Sequence, residues 1–247
     1  MKNLVVTLLG CTFLAGCGGG NGDNSGTGGM PSNAQLNGNW HAILTSTVSS
    51  HPLVEDFFIV QNGGTLSSDN ISLQGTCFPS GTMMGSVNGN QVNMILTSQD
   101  GDTVSITGTV SGGTLSGNYT IKTSGCMGGD IGTLSATLIP SLQSASWTGA
   151  TLSTVYPPGH TTFTANLAED NAGNITGTMV FTGSTCSFLS TPSVSGRQTG
   201  NIFIVEDTAP DGVALIGTVD SVAKNISGGY DISICNADGG TFTMSQP

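Results

Sequence analysis

Paired carboxylates are the residues of this sequence that come closest to a catalytic or metal-binding pattern. Two acidic side chains at a loop tip can act as acid and base in glycoside hydrolysis, or supply oxygen ligands to calcium. An Asp-Gly turn explains such a pair without chemistry, because tight hairpin turns favour those residues. Turn formation is therefore the favoured interpretation, and Asp100 and Asp102 remain the calcium candidates. The acidic groups are Glu55-Asp56, Asp100-Gly101-Asp102, Glu169-Asp170, and Glu206-Asp207 with Asp211.

Histidine, serine and lysine add little to this inventory. The three histidines, His41, His51 and His160, have no second ligand at the spacing of a zinc motif. No G-x-S-x-G sequence marks a nucleophilic serine. Residues 221–224 fit S-x-x-K, but that motif needs a helix, and a polar hairpin loop between predicted strands is the favoured interpretation. We therefore expect a protein that is not an enzyme and holds no cofactor or metal.

Four cysteines in two equally spaced pairs indicate how the chain is organised. Cys77 and Cys126 are 49 positions apart, and so are Cys186 and Cys235. Four cysteines allow three pairings. Because a domain copied as a unit carries its own bridge, the spacing favours the disulfides Cys77–Cys126 and Cys186–Cys235. The sequence contains no C-x-x-C spacing that would favour a zinc site instead.

Other landmarks repeat in the same order and predict an internal duplication. Trp40 and Trp147, the two tryptophans, lie 37 and 39 positions before the first cysteine of each pair. We therefore expect one β-domain at residues 36–140 and a second copy at 143–247. Further matching segments are 107–110 with 216–219, 115–119 with 226–230, and 132–135 with 240–243.

Alternating apolar and polar residues predict β-strands almost throughout both copies. Residues 91–96 and 103–107 show the alternation, and turn sequences such as Asn88-Gly89 and Asp238-Gly239 separate the strands. A long antiparallel meander must hide its sheet edges, and closure into a barrel does so. We expect an all-β protein with two tandem antiparallel up-and-down barrels, each with one disulfide. A barrel-like sandwich is the alternative.

The N-terminus carries the features of an export signal. An apolar run of 11 residues from Leu4 to Leu14 is too short for a spanning helix, which needs about 20. The sequence Leu14-Ala15-Gly16-Cys17 resembles the lipobox of bacterial lipoproteins. The resemblance implies a signal peptide at residues 1–16, a lipid on Cys17 and a place in the bacterial envelope. Gly18 favours the outer membrane, and an ordinary secretory signal is the alternative.

The composition of the chain limits which molecules it can bind. Residues 17–35 are rich in glycine and serine, so we expect a flexible tether. The chain has 15 acidic and 4 basic residues, which gives a net charge of −11. Nucleic acid and anionic lipid both attract basic surfaces, so this balance argues against both as electrostatic partners. We expect membrane attachment through the lipid on Cys17.

The first copy opens like a member of a known superfamily. Leu36-Asn37-Gly38-Asn39-Trp40 resembles the Gly-x-Trp opening of lipocalin-like (calycin) domains, and the hairpins that follow are similar to their up-and-down barrel. Three functions remain as hypotheses. The favoured one is a non-catalytic binding or structural module with an apolar or carbohydrate ligand. The others are an exported glycosidase-like hydrolase that uses the acidic pairs, and an adhesive or spacer protein with exposed aromatic residues at Phe57, Phe58, Phe163 or Phe181.

Overall fold

The structure is a computed structural model, and it describes nine stretches of the chain. The six cysteines, the lipobox, His51, Asp100 and Asp211 lie outside these stretches, so the expectations that concern them stay predictions. No helix in the described stretches is long and apolar enough to cross a membrane. The described residues are 32–48, 52–74, 81–99, 101–122, 129–155, 160–182, 192–208, 212–233 and 238–247.

Barrel one is an antiparallel sheet in which β1 pairs with β2, β3 lies between β2 and β5, the strands from β5 to β9 pair in chain order, and the pairing of β1 with β9 closes the ring. Strands β3 and β4 together fill one strand position, because both pair with β2, at opposite ends of that strand. The ring therefore has eight strand positions. Its described strands are β1 (Gly38–Ser46), β2 (Leu53–Asn62), β3 (Thr65–Ser68), β4 (Ile71–Gln74), β5 (Gly81–Asn88), β6 (Gln91–Ser98), β7 (Thr103–Ser111), β8 (Thr114–Lys122) and β9 (Asp130–Ile139).

Barrel two is a closed antiparallel barrel of eight described strands, joined to barrel one by residues 140–144. Each strand pairs with its neighbour in sequence, and β10 pairs with β17 to close the ring. The strands are β10 (Ala145–Ser153), β11 (His160–Glu169), β12 (Asn174–Thr182), β13 (Ser193–Thr199), β14 (Ile202–Asp207), β15 (Val213–Val219), β16 (Asn225–Ile232) and β17 (Asp238–Ser245).

Each barrel has its own apolar core on the inside of the ring. Side chains alternate between the two faces of a strand, so every second residue points inward. Trp40 and Phe57 pair across β1 and β2 and are fully buried inside barrel one. Trp147 and Phe203 lie in the core of barrel two. Burial of one such side chain contributes about 2–3 kcal/mol, so each ring has a substantial core of its own.

Short segments of chain cover one end of each barrel. We call this end, where β1 and β10 begin, the bottom end, and the opposite end the top end. The segment 32–37 covers the bottom of barrel one. There Leu36 is buried and its carbonyl accepts a hydrogen bond of 2.7 Å from the Trp40 indole N–H. At barrel two the linker does the same, because Leu142 joins the core of that barrel.

The all-β prediction and the two-barrel prediction are confirmed. The closed ladders rule out the barrel-like sandwich as the description of the two sheets. The two-domain repeat is also confirmed. Gly89 makes the predicted hairpin turn with φ +59°, and Gly112 makes the turn between β7 and β8 with φ +56°. The turn predicted at Asp238-Gly239 is wrong, because both residues belong to β17 and pair with Ile232 and Asp231 of β16.

Candidate functional site

Glu55 is a carboxyl group inside barrel one. It pairs with Ala42 across β1 and β2, on the inward side that it shares with Phe57 and Ile59. The side chain is 0% exposed. Neither of its carboxyl oxygens has a hydrogen-bond partner among the described residues. An unpaired buried carboxyl group is costly, so it distinguishes this position within the core.

Burial raises the pKa of Glu55 from its ordinary 4.5 to about 8, and the negative charge of Asp56 contributes to the increase. Removal from water disfavours the charged form of an acid, so Glu55 is neutral at pH 7. Copy two has no acid at the corresponding position. Ala42 is two positions after Trp40 and pairs with Glu55, whereas Gly149 is two positions after Trp147 and pairs with Phe163. The buried acid is therefore specific to barrel one.

Asp56, the next residue, points to the outside of barrel one. Its Oδ1 lies 2.9 Å from His41 Nδ1 and accepts a hydrogen bond of 3.1 Å from the Asn201 N–H of barrel two. The hydrogen bond to Asp56 raises the pKa of His41, and partial burial opposes that effect. Glu55 and Asp56 thus face opposite sides of β2, and they do not form the paired carboxylates that glycoside hydrolysis requires.

The outside of barrel one packs against the bottom end of barrel two, and we call this contact the seam. Phe58 is buried there against Gly173, where a β-carbon would come within 2.8 Å of the phenyl ring. The seam residues are Asn39, His41, Asp56, Phe58 and Asn70 of barrel one, and Glu169, Gly173, Gln198, Thr199, Gly200 and Asn201 of barrel two.

Hydrogen bonds between polar side chains cross the seam. The amide Nδ2 of Asn39 donates to Glu169 Oε1 at 2.8 Å, and the Thr199 hydroxyl donates to Asn70 Oδ1 at 2.6 Å. The pKa of Glu169 is raised by burial, while hydrogen bonds from the Leu142 N–H and from Asn39 oppose the increase. Buried polar groups need such partners, so the seam fixes one arrangement of the two barrels.

Of the remaining acidic candidates, Asp102 and Asp170 lie at turns, whereas Glu206 and Asp207 are the last two residues of β14. Asp170 is exposed after β11, and its pKa is lowered by hydrogen bonds from the side-chain amide of Asn174 and from the N–H groups of Asn174 and Ala172. Glu169 and Asp170 therefore do not share a surface. Asp102 is buried in the turn between β6 and β7, where its own N–H donates to Ser98 Oγ at 3.1 Å.

The S-x-x-K sequence lies in the turn between β15 and β16, as the hairpin interpretation expected. The Lys224 N–H donates to Asp220 Oδ1 at 2.8 Å, which closes the turn. Among the described residues, no group of three or more His, Cys, Asp or Glu side chains could hold a metal. The aromatic residues of the adhesive hypothesis are all buried: Phe57, Phe58, Phe163 and Phe181.

A hydrogen-bonded group of three residues lies at the top end of barrel one. Asp130 accepts hydrogen bonds from Ser46 Oγ at 2.6 Å and from the Tyr119 hydroxyl at 2.8 Å. Burial and the bond to Asp130 raise the pKa of Tyr119 to about 12, so the phenol stays protonated at neutral pH. The group joins β1, β8 and β9 where the barrel closes.

Barrel two repeats this group. Asp238 accepts hydrogen bonds from Ser153 Oγ at 2.5 Å and from the Tyr230 hydroxyl at 2.8 Å. Neither group is predicted above from the sequence, although the sequence contains a signal for both. Ser-Thr-Val occurs at 46–48 and 153–155, and Asp-x-Gly-Thr occurs at 130–133 and 238–241. The repeated contacts support the duplication at the level of single hydrogen bonds.

A cleft of about 540 Å³ lies on the outer face of β5, β6 and β7. In its middle row Met84 pairs with Ile95, and these residues are 73% and 52% exposed, while Ser105 continues the row on β7. Hydroxyl and amide side chains lie on either side of that row: Thr82 and Thr97 on one side, Asn93 and Thr107 on the other. None of the residues that line the cleft is ionisable. This volume falls within the usual range for ligand sites, about 300–1,000 Å³.

The corresponding strands of barrel two have a different outer face. Arg197 on β13 and Glu206 on β14 are both exposed there. The two copies have therefore diverged, and only barrel one has an uncharged outer face at this place.

No protein-family model and no curated protein matches this chain. A search of solved structures found similar chains. One is a protein of unknown function from the DUF3598 family of Nostoc punctiforme. It is 12% identical, with 85% of this chain and 96% of that chain covered, at a TM-score of 0.26.

Proposed function

We propose that this protein is a lipid-anchored protein of the bacterial outer membrane, whose two lipocalin-like barrels act together as one non-catalytic binding module. The seam is the observation that carries the proposal. Asp56 and Glu169, two of the carboxylates that a hydrolase would need, instead accept hydrogen bonds across the contact between the barrels. A function that needs the two barrels in a fixed arrangement explains the position of these two carboxylates better than acid–base catalysis does.

The N-terminal sequence supports the anchoring part of the proposal. Cys17 ends the lipobox, and the acidic chain has little to attract it to an anionic bilayer. The end of the expected tether is attached to barrel one. There the Gly89 N–H donates to Asn33 Oδ1 at 2.9 Å, and Gln61 Nε2 donates to the Ala34 carbonyl at 2.9 Å. The free length between lipid and barrel is therefore shorter than the whole segment 17–35.

Substitution of Cys17 tests the anchor. In cells that express the full chain and are fed labelled palmitate, Cys17→Ser should abolish labelling and move the protein from the membrane to the soluble fraction. Cys11→Ser is the matched control, because Cys11 lies inside the apolar signal and should leave both readouts unchanged. Membrane retention of Cys17→Ser would show that the anchor is elsewhere.

We place the binding function at the cleft on β5, β6 and β7, with an uncharged carbohydrate as the ligand. The exposed Met84–Ile95 pair offers an apolar surface for the face of a sugar ring. Thr97, Asn93 and Thr107 offer hydrogen-bond groups at its sides. An uncharged ligand also avoids repulsion by a chain of net charge −11.

Two exposed isoleucines provide a matched test of this site. Ile95→Lys places a charge in the cleft, whereas Ile216→Lys places one on barrel two at a side chain of similar exposure, 55% against 52%. We expect soluble neutral glucans to bind the full chain in affinity electrophoresis, Ile95→Lys to weaken binding at least tenfold, and Ile216→Lys to have no effect. Equal loss in both variants, or no binding at all, would contradict the proposed site.

We also propose the disulfides Cys77–Cys126 and Cys186–Cys235. The strands on either side of the connections that contain these cysteines support the pairing. In barrel one these strands all begin or end at the top end: β4, β5, β8 and β9. The same holds for the corresponding strands of barrel two. Peptide mapping of the unreduced protein should recover the two pairs. Recovery of a bridge between the copies would contradict the pairing.

A further inference from the structure

Four buried oxygen atoms of the seam have no hydrogen-bond donor in the part of the chain that the structure describes. They are Asn39 Oδ1, Asp56 Oδ2, Gln198 Oε1 and Asn201 Oδ1. The side chains of Asn39, Asp56 and Gln198 are 0% exposed. Buried polar atoms in folded proteins are nearly always paired, so four unpaired acceptors in one contact need an explanation.

The turn at Gly200 brings three of the residues that carry these oxygens, Asp56, Gln198 and Asn201, into one contact. The Asn201 N–H donates to Asp56 Oδ1 at 3.1 Å, and Gln198 Nε2 donates to the Gly200 carbonyl at 2.9 Å. Gly200 has φ +56°, and a β-carbon there would collide with Asp56 Oδ1 and lie 2.6 Å from the Trp40 carbonyl oxygen. The backbone of the turn therefore lies directly against the carboxylate, with Gln198 and Asn201 on either side of Gly200 in sequence.

We propose that the seam binds one Ca²⁺ ion, with Asp56 Oδ2, Gln198 Oε1 and Asn201 Oδ1 among its ligands. Carboxylate and amide oxygens are the ligands that calcium takes, and water completes its shell of six to eight. Softer metals select sulfur or imidazole ligands. The His41 ring does not compete for the position, because its Nδ1 contacts the other carboxylate oxygen, Oδ1.

The charge of the seam is consistent with a cation. Asp56 and Glu169 are its carboxylates, and His41 is its one side chain that can become positive among the described residues. The unpaired Asn39 Oδ1 is a further acceptor on the same contact. Because only one of the three assigned ligands is charged, we expect weak affinity, with Kd about 0.1–1 mM, the range of extracellular calcium modules.

Calcium would bridge the two barrels, since Asp56 belongs to barrel one and Gln198 and Asn201 belong to barrel two. This inference does not rest on the lipid anchor or on the carbohydrate cleft. It is separate from the Asp100 and Asp102 candidates, which belong to the turn between β6 and β7.

Calorimetric titration of the full chain in detergent, stripped with EDTA, tests the site with CaCl₂ as the probe. We expect one Ca²⁺ per chain and at least tenfold weaker binding in Asp56→Asn. Gln198→Met removes a neutral ligand of similar size and should also weaken binding, which keeps the test decisive if Asp56→Asn does not fold. Glu206→Gln removes an exposed carboxylate of barrel two and is the matched control.

Two results would overturn the proposal. The first is no binding up to 10 mM CaCl₂ by a correctly folded chain, in which case water molecules satisfy the seam oxygens. The second is binding that persists in both Asp56→Asn and Gln198→Met but disappears in Asp102→Asn, in which case the ion belongs to the turn between β6 and β7. Circular dichroism of each variant establishes that it is folded.

Discussion

Glu55→Gln should stabilise the protein, and the gain should grow with pH. In the folded protein the pKa of Glu55 is about 8 against an ordinary 4.5, so between these values the folded state keeps a proton that the unfolded chain has lost. The free energy of unfolding then falls by about 1.4 kcal/mol for each pH unit as pH rises. The contribution of this group is fully present below pH 4.5 and lost as pH passes 8.

The size of this stability difference follows from the two pKa values of Glu55, about 8 in the folded protein and 4.5 ordinarily. A difference of about 3.5 pH units corresponds to at most about 5 kcal/mol above pH 8, and to about 3 kcal/mol at pH 7. Glutamine has the shape of the neutral acid but cannot ionise, so it avoids this loss. At pH 4.5 and below, the variant and the native protein should be nearly equal in stability.

Urea unfolding at pH 4, 5, 6, 7 and 8, followed by tryptophan fluorescence, measures the difference between variant and native protein. The other titrating groups contribute equally to the free energy of unfolding of both proteins, so their contributions cancel in that difference. Trp40 lies in the core of barrel one and Trp147 in the core of barrel two, so the emission reports on both barrels. Glu206→Gln is the matched control, since Glu206 is exposed on β14 and its replacement should change stability little at any pH.

A constant difference from pH 4 to pH 8 would refute the reasoning. It would mean that Glu55 ionises normally in the folded protein, and hence that water or a partner reaches it. A loss of stability at pH 8 would refute it more strongly, because a charged Glu55 would then be contributing a favourable interaction.

Further predictions concern the seam and the top ends of the barrels. Gly200→Ala should lower the free energy of unfolding in urea by about 2–5 kcal/mol, because it combines left-handed backbone with a collision at Asp56. Gly112 has the same φ of +56° and open space around it, so Gly112→Ala should lower it by only about 1–2 kcal/mol. Equal losses in the two variants would contradict the seam packing. Tyr119→Phe and Tyr230→Phe should each cost about 1.5–3 kcal/mol, because each removes a hydrogen bond to a carboxylate. A measurable loss in one barrel only would show that the repeated groups are not equivalent.

Local pattern was enough to predict most of the fold. Alternation at residues 91–96 and 103–107 appears as β6 and β7, and the Asn88-Gly89 turn appears between β5 and β6, where Gly89 has the positive φ that the hairpin needs. These features depend on neighbours in sequence, which is why they can be predicted without the tertiary structure. The repeat could be predicted for a similar reason, since equal spacing of landmarks does not depend on how the chain folds.

Strand β2 shows where local pattern failed. Residues 55–59, Glu-Asp-Phe-Phe-Ile, are all buried in succession, so no alternation indicates which side chains face inward. One face of the strand is covered by the core of barrel one and the other by the seam. The sequence therefore predicts that Glu55-Asp56 lies near a turn, whereas the structure places the pair within β2 with its members on opposite faces.

The sequence by itself determined an acidic all-β chain made of two copies, with turns at its glycines, because composition, alternation and spacing are properties of the linear chain. Tertiary structure alone decided that Glu55 is enclosed and that Asp56 contacts Asn201 of the other copy. It also decided that Asn39 meets Glu169 across 130 positions of chain. Such contacts depend on strand register and on the packing of one barrel against the other, and nothing local to these residues encodes either.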